Sequence, residues 1–298
     1  MATTTQPKIG FIGLGHMGGN MALRLLDAGY EVYGVDASRP RKLPGLHDRM
    51  RWRTTPHDVT DVADVVFTSL PDDAVVEAVA SGPGGILAGL AAGKVWVDMS
   101  TVSPRASRAL AERVHAVGAA MLDAPVSGSI PQVQAGTLTI MVGGDETAYT
   151  RVEPILRELG SPTHVGDNGQ GLALKLAINI SLAVQMLAFA EGLLLAARAG
   201  VAPALAAGIM TQSPIGSPML KARAPLVLDL PKEAWFDVSL MQKDLRLALQ
   251  SARDLKVPLP STAVADGLLS TARDLGYEHR DIAVFFRVLS ELVEHGSS

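Results

Sequence analysis

The 298-residue chain contains no cysteine, which excludes disulfides, a thiol nucleophile and thiolate-held metals. Its seven histidines are scattered, with no His-x-x-x-His pair, so no metal site is expected. No run of five or more like charges occurs, and the net charge is only −4. A nucleic-acid binder would show a basic patch and a high pI. The opening MATTTQPK lacks the apolar core of a secretory signal. The nearest approach to a spanning segment is GLALKLAINISLAVQMLAFAEG, residues 171–192. Between Lys175 and Glu191 it holds 15 uncharged residues, Asn179, Ser181 and Gln185 among them, short of the ~20 predominantly apolar residues a bilayer needs. A buried core helix in a cytoplasmic protein is expected, with neither nucleic acid nor membrane as partner.

What is present is apolar residues, 48% of the chain, in a length of roughly two domains at about 150 residues each. From Lys8 to about Val165, the β-rich runs KIGFIG, EVYGVD, VVFTSL, KVWVDMS, AAMLDAPV and LTIMVGG alternate with helical stretches such as NMALRLLDAG and SPRASRALAERVHAVG. Unbroken apolar strands separated by helices predict a parallel sheet covered on both faces. Gly29 and Gly118 read as left-handed helix ends. Past Gly166 the pattern turns helical, the change falling in SPTHVGDNGQG. The expectation is an α/β Rossmann-type doubly wound domain over residues 1–167 and an all-α domain over 168–298. The second begins with a long helix beside the junction, where a ligand cleft is favoured. That helix, apolar from Leu172 to Ala197, is expected to be covered on all sides, with Glu191 as a structural partner inside the helical domain.

Gly13-Leu14-Gly15-His16-Met17-Gly18 stands between the strand KIGFI and the helix NMALRLLDAG, and Asp36 ends the second strand, 23 residues past Gly13. In that setting Gly13 permits a tight turn, Gly15 lets the backbone approach a pyrophosphate, and Gly18 permits close helix–strand packing. The helix N-terminus adds free N–H donors. Asp36 accepts hydrogen bonds from an adenosine ribose and repels a 2′-phosphate, favouring NAD. Arg39 is a possible holder of that phosphate, which keeps NADP open.

Leu70-Pro71 and Ser100-Thr101 each follow a strand, where open sheets bind ligands. An apolar cofactor wall and hydrogen bonds to ribose or amide are the functional readings; a plain turn and a helix N-cap are the structural ones. In DAPVSGS, Ser127, Gly128 and Ser129 offer hydroxyls and an open run of N–H groups to a small carboxylate, or form a glycine turn. Gly136, Gly143 and Gly144 read as structural. Gly171, Lys175 and Asn179 recur every four residues on one helix face, with Gly171 leaving space above the lysine. Lys175 either sends its head to water or, partly stripped of water, serves proton transfer. Lys243-Asp244, on an amphipathic helix, is a solvated or capping pair unless Lys243 reaches the cleft.

With these residues assembled, the chain resembles the β-hydroxyacid dehydrogenase family over nearly its whole length. GFIGLGHMG matches the family's cofactor signature, DAPVSGS its substrate motif, GLALKLAIN its G-x-x-x-K-x-x-x-N pattern, and QKDLRLA a segment of its C-terminal domain. The resemblance implies an NAD(P)-dependent oxidation of a small β-hydroxy acid, or reduction of the matching semialdehyde, in a homodimer or homotetramer. It implies Lys175 as acid/base, Asn179 as its orienting partner, Ser127, Gly128 and Ser129 as holders of the substrate carboxylate, and Lys243 closing over cofactor and substrate. Gly128-Ser129 departs from the family's frequent Gly-Gly and is similar to members acting on glyoxylate or succinic semialdehyde, which leaves the acid's length open. An imine reductase usually replaces this lysine with Asp or Tyr. A decarboxylating phosphogluconate-type enzyme has a longer helical domain, and a non-catalytic dinucleotide-binding scaffold has no need of Lys175 and Asn179. Substrate choice is expected to come from the helical domain, near residues 212–221 and 234–239.

Overall fold

The computed structural model describes residues 6–37 and 43–296; Arg39 lies outside them. The strands are β1 (Ile9–Ile12), β2 (Val32–Val35), β3 (Arg51–Trp52), β4 (Val65–Thr68), β5 (Val95–Asp98), β6 (Ala120–Asp123), β7 (Val126–Ser127), β8 (Leu138–Gly144) and β9 (Gly160–Gly166). Between them lie α1 (His16–Asp27), α2 (Pro56–Val62), α3 (Asp73–Ser81), α4 (Ile86–Gly89), α5 (Pro104–Ala116), α6 (Ile130–Ala135) and α7 (Glu146–Leu159). Six helices follow: α8 (Gln170–Arg198), α9 (Pro203–Gln212), α10 (Pro218–Leu228), α11 (Val238–Leu255), α12 (Pro260–Asp274) and α13 (Phe285–Gly296).

The strands form one sheet in the order β3-β2-β1-β4-β5-β6-β8-β7, with β9 beside β8. Every residue of β1, β2, β4 and β5 is buried, as expected of strands covered on both faces. β1 to β6 pair in parallel, whereas β8 runs antiparallel to β6 and β7. LTIMVGG, with β9 parallel beside it, is thus what breaks an all-parallel sheet. A parallel return needs a crossover element long enough to run back along the sheet, whereas this connection is spent on β7, which pairs with β8, and on the six-residue α6, and the chain turns back instead. β9 lies in the segment read from sequence as a boundary loop. Its Ser161, Pro162, Thr163 and His164 hide the apolar signature of a strand while suiting a sheet edge. Gly29 and Gly118 do adopt left-handed conformations, with φ of 90° and 77°.

The strand order reverses between β1 and β4, which places the turns after both at the switch point where such sheets bind ligands. Phe11 and Phe67, stacked at 5.9 Å, pack the two strands together beneath it.

The chain divides into two compact units, with the division inside α8 between Lys175 and Leu176. The helical unit has its own core, in which Met186, Leu193, Met241, Leu245 and Phe285 are buried. One sequence expectation for α8 fails. Glu191 is exposed rather than a buried partner, because the core-facing residues Met186, Ala190 and Leu193 lie on a different side of the helix. A single chain does not cover α8 on all sides. Its most apolar 18-residue window, of mean hydropathy 1.8, is only 33% buried, and Leu195 is 74% exposed. By length and composition α8 is long and apolar enough to cross a membrane, and its Met186, Leu187, Ala190 and Leu193 lie in the core of the helical unit.

Candidate active site

Gly13 turns at φ +87°, and a Cβ there would stand 2.4 Å from the Ser69 carbonyl. At Gly18 a Cβ would meet the Gly13 carbonyl at 2.0 Å. Both positions therefore exclude a side chain. Gly15 is the opposite case: it is exposed, and nothing lies within 4 Å of where its Cβ would be. It also caps α1, whose first turn receives no side-chain cap, so the N–H groups there face an open approach suited to a pyrophosphate. Leu14 is buried, His16 is exposed and Met17 is half-buried. Asp36 Oδ2 accepts the Leu14 N–H at 2.5 Å, fixing the carboxylate beside the turn. These residues fit a dinucleotide: room where it must approach, and rigid backbone on either side.

Across the switch point, Leu70 donates its N–H to Ser100 Oγ at 2.9 Å, and Leu70 packs against the apolar layer containing Ile12 and Val102. Pro71 is exposed beside it. Ser100 is itself buried and gives its N–H to Asp98 Oδ1 at 3.1 Å. It is a tie between two loops, so ligand contact falls more readily to the half-buried Thr101. The cap of α5 is Ser103, accepting from Ala106, not Ser100 or Thr101.

Two buried carboxylates that motif reading passed over stand in register on neighbouring strands, Asp98 and Asp123. Thr68 and Ser100 bond one oxygen of Asp98, while Oδ2 has no hydrogen-bond partner among the described residues. Burial pushes its carboxyl up. Asp123 opens the DAPVSGS segment and uses both oxygens on the start of α8, accepting Gly169 N–H at 2.6 Å and Leu172 N–H at 2.9 Å. Burial raises its pKa to about 6 against the pull of those N–H groups. Gly143 leaves the carboxylate its space, since a Cβ there would lie 2.8 Å from Asp123 Oδ1. Gly171 acts likewise. Its missing side chain admits the Met141 and Asp123 carbonyls, 2.5 and 2.8 Å from an added Cβ, rather than opening space above Lys175. One turn on, Lys175 is half-buried, not fully enclosed.

Ser127 pairs with Thr139 of β8. Gly128 sits at φ +136°, with Leu138 Cδ2 2.7 Å from where a Cβ would be. Ser129 stands before α6, and its N–H and hydroxyl both donate to Gln132 Oε1, at 2.9 and 2.8 Å. The serine that departs from Gly-Gly thus has a local task as a helix cap. Gly136 ends α6 in the left-handed region, φ +68°, a structural glycine as read.

In the helical unit, Asn179 is 1% exposed and donates Nδ2–H to Asp244 Oδ2 at 2.5 Å. Asp244 is 3% exposed, and Lys243 Nζ lies 3.0 Å from its other oxygen. Lys243-Asp244 is therefore no solvated surface pair: Asp244 holds an amide from α8 and the neighbouring ammonium together.

A Rossmann sheet with an open glycine turn at its switch point, continued by a helical unit, defines a nicotinamide-dinucleotide oxidoreductase. Residues 8–168 match the NAD binding domain of 6-phosphogluconate dehydrogenase, and residues 169–289 match the NAD-binding segment of NADP-dependent 3-hydroxyisobutyrate dehydrogenase. The 2-(hydroxymethyl)glutarate dehydrogenase of Eubacterium barkeri is 36% identical, over 96% of this chain and 95% of its own. The 2-hydroxy-3-oxopropionate reductase of Escherichia coli K12 is also 36% identical, over 97% and 99%. Among solved structures, Psf3 in complex with NADP+ and 2-OPP is 26% identical, covers 94% of this chain and 99% of its own, and superposes with a TM-score of 0.85. The chain belongs to the β-hydroxyacid dehydrogenase family. It is an enzyme that binds NAD(P) and acts as a dehydrogenase of that family.

Proposed function

We propose that the chain transfers a hydride between NAD and a small β-hydroxy acid or its semialdehyde, with Lys175 as the acid/base. One observation carries this reading: Asp123, the first residue of the substrate motif, anchors through Leu172 the helix turn that presents Lys175. The carboxylate-binding segment and the proton carrier thus share one rigid anchor. By their names, the two relatives act on 2-(hydroxymethyl)glutarate and 2-hydroxy-3-oxopropionate. Both compounds carry an alcohol or aldehyde on the carbon β to a carboxylate, and that unit is the substrate class proposed here.

Ser127, Gly128 and Ser129 hold the carboxylate by backbone N–H groups and hydroxyl, the Ser129 donors exchanging Gln132 Oε1 for it, and Asn179 and Lys243, both tied to Asp244, orient the reacting end. In oxidation the neutral Lys175 amine takes the hydroxyl proton; in reduction its ammonium returns one to the forming alkoxide. The bound nicotinamide supplies or accepts the hydride. Proton transfer of this kind contributes about 10²–10⁴-fold, and positioning contributes separately. Asp36, beside the ribose end of the turn, favours NAD over NADP. The active form is a cytoplasmic homodimer or homotetramer.

The test is nicotinamide absorbance during turnover, with both cofactors and a panel of β-hydroxy acids and semialdehydes. Lys175→Ala is expected to lose about two decades or more of kcat while cofactor binding persists. A variant as active as the native enzyme would overturn the assignment of the proton carrier.

A further inference from the structure

A cavity of about 490 Å³ opens along α11 and α12, within the helical unit. Four cationic side chains line it, Lys243, Arg246, Arg253 and Arg273, with Asp266 as the carboxylate among the lining residues. Neutralisation inside the cavity is incomplete. Arg246 meets Asp266 through Nε at 3.3 Å, and its terminal nitrogens have no partner among the described residues. Arg273 spends its two arms on Gln242 and Glu278, at 3.0 and 2.8 Å. Among the described residues, no hydrogen bond or ion pair holds the Arg253 side chain. With Lys243 paired to Asp244, Arg246 to Asp266 and Arg273 to Glu278, Arg253 supplies the uncompensated charge of the recess and the Arg246 terminal nitrogens supply further donors, where low-dielectric walls focus the field on an anion.

The spacing is that of a track. Arg246 and Arg253 are seven residues apart on α11, two turns and about 10 Å along one face, and Lys243 precedes Arg246 by about 4.5 Å of rise. Guanidinium forks suit planar carboxylates, and the volume is that of a small-molecule site. We propose that this cavity receives the second carboxylate of a dicarboxylic substrate. The reacting end of that substrate lies at Lys243, and its distal acid is held by Arg246 and Arg253. The proposal rests on the reading of Lys243 as a substrate contact and narrows the substrate class from β-hydroxy acids to those carrying a further acid group.

Two measurements separate the proposal from the dehydrogenase reading. In the first, glutarate, butyrate and inorganic phosphate are titrated calorimetrically into the native chain, Arg246→Gln and Arg253→Gln. Glutarate is expected to bind more tightly than butyrate, and each variant is expected to weaken it about tenfold or more. In the second, kcat/KM is compared for 2-(hydroxymethyl)glutarate and 3-hydroxyisobutyrate, which share the β-hydroxy acid and differ in the distal carboxylate. The selectivity for the diacid is expected to fall about tenfold or more in each variant. Unchanged glutarate affinity in both variants, displacement of glutarate by phosphate, or a preserved selectivity ratio would each overturn the proposal. Arginine-dependent glutarate binding without turnover of either acid would keep the cavity as a dicarboxylate site and count against the dehydrogenase reading alone.

Discussion

Asp123 combines two demands that oppose each other. Its oxygens must accept the N–H groups of Gly169 and Leu172, which favours the carboxylate, yet its burial favours the neutral acid and prevails, bringing the pKa to about 6 from an ordinary 3.8. A folded-state pKa above the unfolded one means that the folded protein binds the proton more tightly. The associated stability is complete below pH ~4 and is lost as pH rises through ~6, on the order of 3 kcal/mol in all. Asp123→Asn removes the titration while keeping one acceptor, at a pH-independent cost. Denaturant unfolding at pH 4 and pH 7.5 is therefore expected to show the native advantage over the variant shrinking by that order; a constant difference would refute the assignment. The contrast with the glycine turn shows what sequence can reveal about single residues. Gly18 is demanded by the Gly13 carbonyl inside one strand–turn–helix unit, and Gly13 by the positive φ of its turn as well as by the distant Ser69 carbonyl, so their spacing is legible. Asp98, Asp123 and Asp244 owe their character to burial by segments far away in the chain, and no local pattern marks them.

Secondary elements were legible in proportion to how much apolar signal they carry. β1, β4 and β5 are buried along their whole length, and their runs stand out; β3, β7 and β9 are short or polar edge pieces that do not. The helical unit offers a similar case in the connections between its helices. Asp281 accepts Arg223 Nη1 and Ala283 N–H on one oxygen and the N–H groups of Trp235 and Phe236 on the other, all between 2.7 and 3.1 Å. It thereby ties α10 to the segment leading into α11. Neither residue stands out in the sequence, because Arg223 and Asp281 are 58 positions apart and each looks like a surface charge. Burial lowers the Arg223 pKa, and Asp281 opposes that shift. Removing one member of a buried pair strands the other charge, at a cost of about 3–5 kcal/mol. Asp281→Ala is expected to destabilise the helical unit by that amount in chemical denaturation, while Arg223→Met with Asp281→Leu recovers part of it. A loss below about 1 kcal/mol would mean that the pair is solvated.

At the scale of the molecule, the α8 sequence promises a helix covered all round, and a single chain does not provide the cover. Gly192 brings α9 against α8, with Met210 Cε 3.0 Å from an added Cβ, and the two helices expose Leu195 at 74%, Leu205 at 59% and Ile209 at 60%. Isolated exposed leucines are ordinary, but several on two packed helices are what interfaces look like. Burial stabilises by about 25 cal/mol per Å² of apolar surface, and a net charge of −4 opposes self-association weakly. A second copy with the same patch satisfies both sides at once through a two-fold contact. Light scattering at micromolar concentration is expected to give a dimer or a larger even assembly. Leu195→Glu with Ile209→Glu should shift it to monomer with helix content retained, since both side chains already face water in the single chain. A native protein that is monomeric under those conditions would show that α8 tolerates its exposed leucines, and the all-round apolar pattern would then need another explanation than self-association.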